Sequence, residues 1–240
     1  MSLPREVATV AEILRDELDR VLGEDLASLF VYGAALFPMP HRWRLDFDFH
    51  ALVRRPFDDT ACAGVEAVYA TLAGTSELGA DLDGYFVLLA DAARPEPPIS
   101  QLRRTAHDEA WALHRAHVHA GRYATVCGLD PREIVPVPTW TELDAALRAE
   151  LAFVESHPHA AAFGVLNGAR ILAGFARHDV VMSKYEAARW ALDALPGEWH
   201  DHVRTAVRDY RRAPEAHDAG LLREDWAPFV AFVRAQLPPM

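Results

Sequence analysis

Only two cysteines, Cys62 and Cys127, occur in 240 residues. That is too few for a disulfide framework, and neither lies in a Cys-x-x-Cys or other metal-ligand spacing; both are expected to be buried thiols. No stretch approaches eighteen uncharged apolar residues, so the sequence offers no membrane span. The opening Met1-Ser2-Leu3-Pro4-Arg5 leads into a charged amphipathic segment instead of an apolar leader. A cytoplasmic protein with no membrane partner is the expectation. Basic charge is also scarce: 24 Lys and Arg against 35 Asp and Glu leave a formal net charge of -11. That balance argues against a nucleic-acid polymer as partner, because such affinity comes from clustered Lys and Arg displacing counterions. A small ligand is favoured, and a cationic one would be attracted. The sequence has no G-x-S-x-G, Walker A or G-x-G-x-x-G motif, which removes support for hydrolase and dinucleotide-binding readings.

The chain does have the means to fold. Hydrophobic residues make up 51% of it and charged residues 25%, the balance of a globular protein. At this length two modest domains are expected. Val7, Val10, Leu14, Leu18 and Val21 recur at intervals of three and four, which predicts an amphipathic helix over 5–22. Leu29–Tyr32, Leu45–Val53 and Leu82–Leu89 are short and rich in branched and aromatic residues, as strands are. Helices are expected over Ala61–Leu72 and Leu102–Arg122, with the proline-rich 94–98 a loop between strand and helix. Pro136-Val137-Pro138 reads as a linker, and everything beyond it is helical in pattern. The expected helices there are Glu142–Glu155, Ala160–Arg177, Lys184–Ala194, Glu198–Arg212 and Leu221–Gln236. Thr139-x-x-Glu142 and Ser183-x-x-Glu186 both fit a capping box, in which hydroxyl and carboxylate satisfy orphan amides at a helix start. The fold class expected is therefore α+β: a short mixed sheet flanked by helices over 1–136, then an all-helical bundle over 139–240.

The most informative segment is Leu45-Asp46-Phe47-Asp48-Phe49-His50. Alternate side chains of a strand share a face, so Asp46, Asp48 and His50 point one way and Leu45, Phe47 and Phe49 the other. Successive carboxylates on that face lie roughly 7 Å apart at Cα, close enough to converge on hard cations that prefer oxygen ligands. Asp83, on the third strand-like run, would add a further carboxylate, and such crowding is repulsive unless a divalent ion neutralises it. Asp83 could bridge a metal or take a proton from an acceptor hydroxyl; the residues alone leave both roles open. Ahead of this segment, Tyr32-Gly33-Ala34 ends a strand in a turn where a residue without Cβ lets a phosphate approach backbone donors. Carboxylate pairs of this kind belong to metal-dependent phosphoryl-transfer sites.

Taken together, Tyr32-Gly33-Ala34, Asp46-Phe47-Asp48, Leu82-Asp83, Leu166-Asn167-Gly168-Ala169-Arg170, Ser183-Lys184, Trp190-Ala191-Leu192-x-x-Leu195-Pro196 and Tyr210 resemble the streptomycin/spectinomycin-type aminoglycoside adenylyltransferases. The resemblance spans nearly the whole chain and implies an N-terminal nucleotidyltransferase domain, a C-terminal helical domain, and transfer of AMP from Mg-ATP to a drug hydroxyl. It implies Asp46 and Asp48 as Mg²⁺ carboxylates, Asp83 at the place of the family's catalytic base and within reach of metal, and Gly33 and Ala34 at the triphosphate turn. It also implies Arg170, Lys184 and Tyr210 as ATP contacts from the helical domain. Two of these have independent support: Arg170 shares a helical face with Phe163, Leu166 and Gly174, where a buried or cleft-facing partner such as phosphate is implied, and Lys184 follows an N-cap whose amides favour an anion.

Departures from the family pattern define the alternatives. Ala34 stands where the family turn has Ser, Asp83 is one methylene shorter than the family's Glu, and Glu155-Ser156-His157-Pro158-His159 lacks the family's drug-binding acids. The leading expectation is an ATP-dependent, Mg²⁺-dependent O-nucleotidyltransferase acting on a small hydroxylated acceptor, an aminoglycoside first. The alternatives are a catalytically degenerate nucleotide-binding protein and the same chemistry on another natural product. Of the remaining features, His114-x-x-His117-x-His119 is expected to be a helix surface and not a metal site, and Trp190, Trp199 and Trp226 to be core.

Overall fold

The computed structural model describes residues 3–40, 43, 46–158, 160–211, 222 and 225–239. Its described chain divides into two compact units: Met1–Phe37 with Leu45–Thr139, and Pro38–Arg44 with Trp140–Met240. The architecture is α+β.

The first unit is built on a four-stranded sheet of order β3-β2-β1-β4. Its strands are β1 (Leu26–Tyr32), β2 (Phe47–Val53), β3 (Leu82–Leu88) and β4 (Tyr123–Gly128). β1 pairs antiparallel with β2 and β4, and β2 pairs parallel with β3. A parallel pair needs a crossover, here supplied by α2 (Asp59–Ala73) and the short α3 (Glu77–Ala80). Asp58 accepts from the Ala61 amide and Ser76 from the Gly79 amide, so each crossover helix starts on a side-chain cap. The apolar stripe of α1 (Arg5–Leu22) and the inner face of α2 cover one side of the sheet, burying Leu14, Leu18, Val65 and Val68 against Val31, Phe47, Phe49 and Ala51. Gly84 lies beside Phe49 in the register, and a Cβ there would fall 2.1 Å from the Phe49 ring; its absence lets the ring lie across the strand. The opposite face carries Phe30, Tyr32, Leu52 and Val87 under Trp111 and Val118 of α5 (Trp111–His119), with α4 (Leu89–Ala92) alongside.

Among the described residues the second unit contains α6 (Trp140–Ser156), α7 (Ala161–Arg177), α8 (Lys184–Ala194), α9 (His200–Tyr210) and α10 (Trp226–Gln236). α7 is buried along most of its length and packs against the other four. α8 starts on a complete capping box between Ser183 and Glu186. Pro38–Arg44 belongs to this unit although it lies between β1 and β2 in sequence: the Trp43 ring is 5.5 Å from both Tyr185 and Tyr210.

Several sequence expectations are corrected. The helix expected over Leu102–Arg122 shrinks to α5, because the preceding residues serve long-range hydrogen bonds: the Gln101 amide donates to Phe86 O and the Asp108 amide to Pro98 O. β4 is a strand the pattern did not reveal. β1 begins earlier than expected, at Leu26, and β2 begins at Phe47, which leaves Asp46 just ahead of it; Leu45 lies outside the described residues. The segment expected as one helix over Glu198–Arg212 is a 3-10 turn (Gly197–Trp199) followed by α9, and the last begins at Trp226; Arg212, Leu221 and His159 lie outside the described residues. Cys62 and Cys127 are half-buried, not buried. Trp199 and Trp226 are core as expected, whereas Trp190 is half-buried. Among the described residues no helix is long and apolar enough to cross a membrane.

Candidate functional site

Register alone gathers the acidic groups. Asp48 pairs with Asp83 across the parallel β2–β3 ladder and with Tyr32 across the antiparallel β1–β2 ladder, so Tyr32, Asp48 and Asp83 form a row on one face. Asp48 is half-buried and Asp83 exposed at the rim. Asp46 is two residues before Asp48, on the chain entering β2. The 3-10 turn Gly33–Leu36 leaves β1 directly beside this row. Gly33 has φ +77, and a Cβ on it would lie 1.9 Å from Asp48 Oδ2, so the turn and the carboxylate are in contact through a position only glycine can fill. Ala34, next along, brings no hydroxyl. The buried Tyr32 hydroxyl is pushed well up, by burial first and then by Asp48, Asp108 and Asp83.

One residue pair deeper, the same face holds Phe30, His50 and Tyr85 in register. His50 is fully buried, with Phe30 and Tyr85 stacked on its two sides at 5.5 and 5.7 Å. Its Nε2 lies 3.0 Å from Asp108 Oδ2, and the same oxygen lies 2.9 Å from His114 Nδ1. Burial raises the affinity of the Asp108 carboxyl for a proton, but the two imidazoles reverse this and hold it well below the usual range. An ionised carboxylate only accepts, so both facing nitrogens are N–H donors. Burial keeps His50 below its ordinary value, hence neutral, and its Nδ1 is buried without a partner among the described residues. His114 moves up instead: burial opposes its charge, and the fields of Asp108, Asp48 and Asp83 outweigh that. Its ring sits 4.6 Å from that of Tyr32.

The sequence reading placed His50 on this face but missed Asp108 and His114. The three ligand atoms lie within 4.8 Å of one another, a grouping that could hold a metal ion, yet hydrogen bonds already satisfy the carboxylate oxygen. The His114-x-x-His117-x-His119 run does not converge: His117 meets the Phe37 ring at 5.6 Å, and His119 Nε2 is 2.9 Å from Val135 O.

In the helical unit, Lys184 is the only lysine of the sequence. Its Nζ lies 4.6 Å from the Phe163 ring and 5.2 Å from that of Tyr210, so Lys184 and Tyr210 are brought together, and the lysine is half-buried instead of solvated. Two aromatic faces hold the cation by their quadrupoles. Arg170 has a partner in its own unit: a guanidinium nitrogen is 3.7 Å from Glu150 Oε1, which also accepts from Asn167 Nδ2. Three-quarters of the Arg170 side chain is out of solvent, at 25% exposure, and Asn167 Oδ1 is buried with no partner among the described residues.

Comparison with known proteins adds two findings. Residues 134–236 match the family model described as aminoglycoside adenylyltransferase, C-terminal domain. The fold is similar to the crystal structure of spectinomycin adenyltransferase AAD(9) from Enterococcus faecialis with ATP and spectinomycin, with a TM-score of 0.75 at 11% identity, covering 95% of this chain and 98% of that one. No curated protein matches the sequence.

Proposed function

We propose, from the match of residues 134–236 to the aminoglycoside adenylyltransferase C-terminal domain model, that the chain transfers AMP from ATP to a hydroxyl of an aminoglycoside. The observation that carries the reading is the Asp48–Asp83 register pair with the Gly33 turn lying against Asp48. Carboxylate oxygens are the donors that hard divalent cations prefer, so the set fits Mg²⁺, which Asp46, Asp48 and Asp83 would hold. When bound, Mg²⁺ supplies charge neutralisation for the triphosphate and for the leaving pyrophosphate.

The chain's own groups do the rest. The amides of the Gly33–Ala34 turn bind phosphate oxygens, Lys184 and Arg170 hold the triphosphate charge, and Tyr210 supports Lys184. Asp83, exposed at the rim, accepts a hydrogen bond from the acceptor hydroxyl and aims its oxygen at the α-phosphorus. Attack forms the new O–P bond as the bond to pyrophosphate breaks. A net charge of -11 favours a cationic acceptor.

A second reading, nucleotide binding without turnover, draws on Ala34. One experiment separates the two. Purified protein is incubated with Mg-ATP and an aminoglycoside panel, and pyrophosphate release and product mass are measured. The expected result is release with a product heavier by one AMP moiety. No release by wild type, with activity appearing in Ala34→Ser, overturns the proposal in favour of a degenerate binder.

A further inference from the structure

We propose that Arg122 is a positioning residue for the nucleotide phosphates, its guanidinium fixing the exit of the Gly33–Leu36 turn so that the turn's amides are aimed before ATP arrives. The inference rests on the nucleotidyl-transfer reading above, in which those amides meet phosphate oxygens. The turn has little of its own to hold it. Gly33 sits at φ +77, no side chain caps the turn, Ala34 brings no hydroxyl, and closure comes from the Phe37 amide donating to Ala34 O at 3.2 Å. Arg122 adds what is missing. The β1–β4 ladder pairs Tyr32 with Tyr123, so Arg122 stands one step further on, opposite Gly33. Its Nη1 donates to Leu36 O at 3.3 Å, and its guanidinium lies over the Phe37 ring, 4.8 Å from the centre. His117 of α5 meets the same ring edge-on at 5.6 Å, and its carbonyl accepts from the Arg122 amide at 2.8 Å. One half-buried side chain at the start of β4 therefore grips both the last residue of the turn and the residue after it.

A turn ordered in advance loses less freedom when its ligand binds, so a tie at the exit is felt as affinity. The grip needs the shape of arginine as well as its charge: a planar guanidinium lies on a ring while its fork bonds a carbonyl, whereas an ammonium is a point charge that cannot do both. Asp48 touches Gly33 from the β2 side, and Arg122 holds the far end of the turn from the β4 side. Arg122 acts through the turn's amides, so its effect falls on the phosphates and leaves the base, the ribose and the acceptor untouched.

The test compares wild type, Arg122→Lys, Arg122→Met and Phe37→Leu in the full chain, measuring melting temperature and the affinities for Mg-ATP and for adenosine by calorimetry without acceptor, then KM for ATP and for an aminoglycoside. Arg122→Lys keeps the charge and loses the fork; Phe37→Leu keeps the apolar burial and loses the ring. The expected result is a roughly tenfold loss of ATP affinity in both Arg122 variants, a smaller loss in Phe37→Leu, unchanged adenosine affinity, a rise in KM for ATP that matches, and an unchanged KM for the aminoglycoside. Wild-type ATP affinity in Arg122→Lys overturns the assignment, because charge alone then suffices. Equal losses for ATP and adenosine, or a fall in melting temperature with ATP affinity unchanged, reduce Arg122 to a structural tie and also overturn it, as does failure of all three variants to fold. Wild type that binds ATP but turns over no acceptor overturns adenylyl transfer and leaves the role of Arg122 to be decided by the binding data alone. Wild type that binds ATP no better than adenosine overturns both.

Discussion

The two faces of β2 are made by alternate residues of one seven-residue strand and do opposite work. Phe47, Phe49 and Ala51 are dry and packed under α1 and α2. Asp48 and His50, between them, lie on the face where Asp48 pairs with Asp83 and where Asp108 accepts from both His50 and His114. The apolar face gains free energy by excluding water, whereas the polar face holds charges close together and opposes folding unless something neutralises them. Stability and chemistry are thus separated by a single residue step along the backbone.

The sharpest way to break that contrast is to change neighbours. Phe49, fully buried and within 6.5 Å of the Phe47, Tyr69 and Phe86 rings, should lose about 3–5 kcal/mol of stability as Phe49→Ala, read by denaturant unfolding. Asp48→Asn should leave the melting temperature unchanged or raise it, while turnover falls on the order of 10³-fold, several kcal/mol of transition-state stabilisation. Equal stability losses in the two variants would erase the distinction.

A smaller effect is expected in the helical unit, where the charge is positive and rings hold it. Removing a charged hydrogen-bonding group costs about 1.5–3 kcal/mol, so Lys184→Ala should raise KM for ATP roughly tenfold to a hundredfold. Because Lys184 is the only lysine, acylation by an amine-reactive reagent reports on this residue and the N-terminus alone, and mass spectrometry of the fragment containing it should show protection by ATP. Acylation unaffected by ATP would remove Lys184 from the nucleotide site.

The smallest effect concerns pH. His114 is raised in the folded protein, so its contribution to stability is complete below its unfolded value near 6.5 and fades as pH rises through the raised one. Asp108 is lowered, so its contribution is complete above about 3.9 and fades only in strong acid. The stability difference between wild type and His114→Gln should therefore be widest between about pH 4 and 6.5 and narrow towards alkaline pH. A difference that widens instead would show the pair to be assigned with the wrong sign.

What was legible in the sequence was what is local. The alternation over Phe47–Val53, the turn at Gly33 and the box at Ser183 each declare themselves within a few residues, because side-chain period and capping are short-range effects. Asp108 declares nothing: its partner His50 is 58 residues away, and a buried carboxylate in an irregular segment has no periodicity to mark it. The same long-range demands shortened the helix expected over 102–122, since amides that bond to Phe86 and Pro98 are not available to a helical ladder. The helical face of Arg170 implies a buried or cleft-facing partner such as phosphate; the partner found is Glu150 of α6, and which acid meets Arg170 depends on how α6 packs on α7.

The placement of Pro38–Arg44 in the helical unit bears on how the protein is made. Trp43 leaves the ribosome long before Tyr185 and Tyr210, and at ~5–20 residues per second the interval is of order ten seconds. For that time the indole has no ring to pack on, while the strands on either side of it can already pair. Assembly of the helical unit therefore cannot follow the simple order of N-terminal part first and C-terminal part second. A helical fragment starting after the proline linker would lack the ring that packs on Tyr185 and Tyr210, and a chaperone or protease surveying the nascent chain meets an unpacked tryptophan until α8 and α9 arrive.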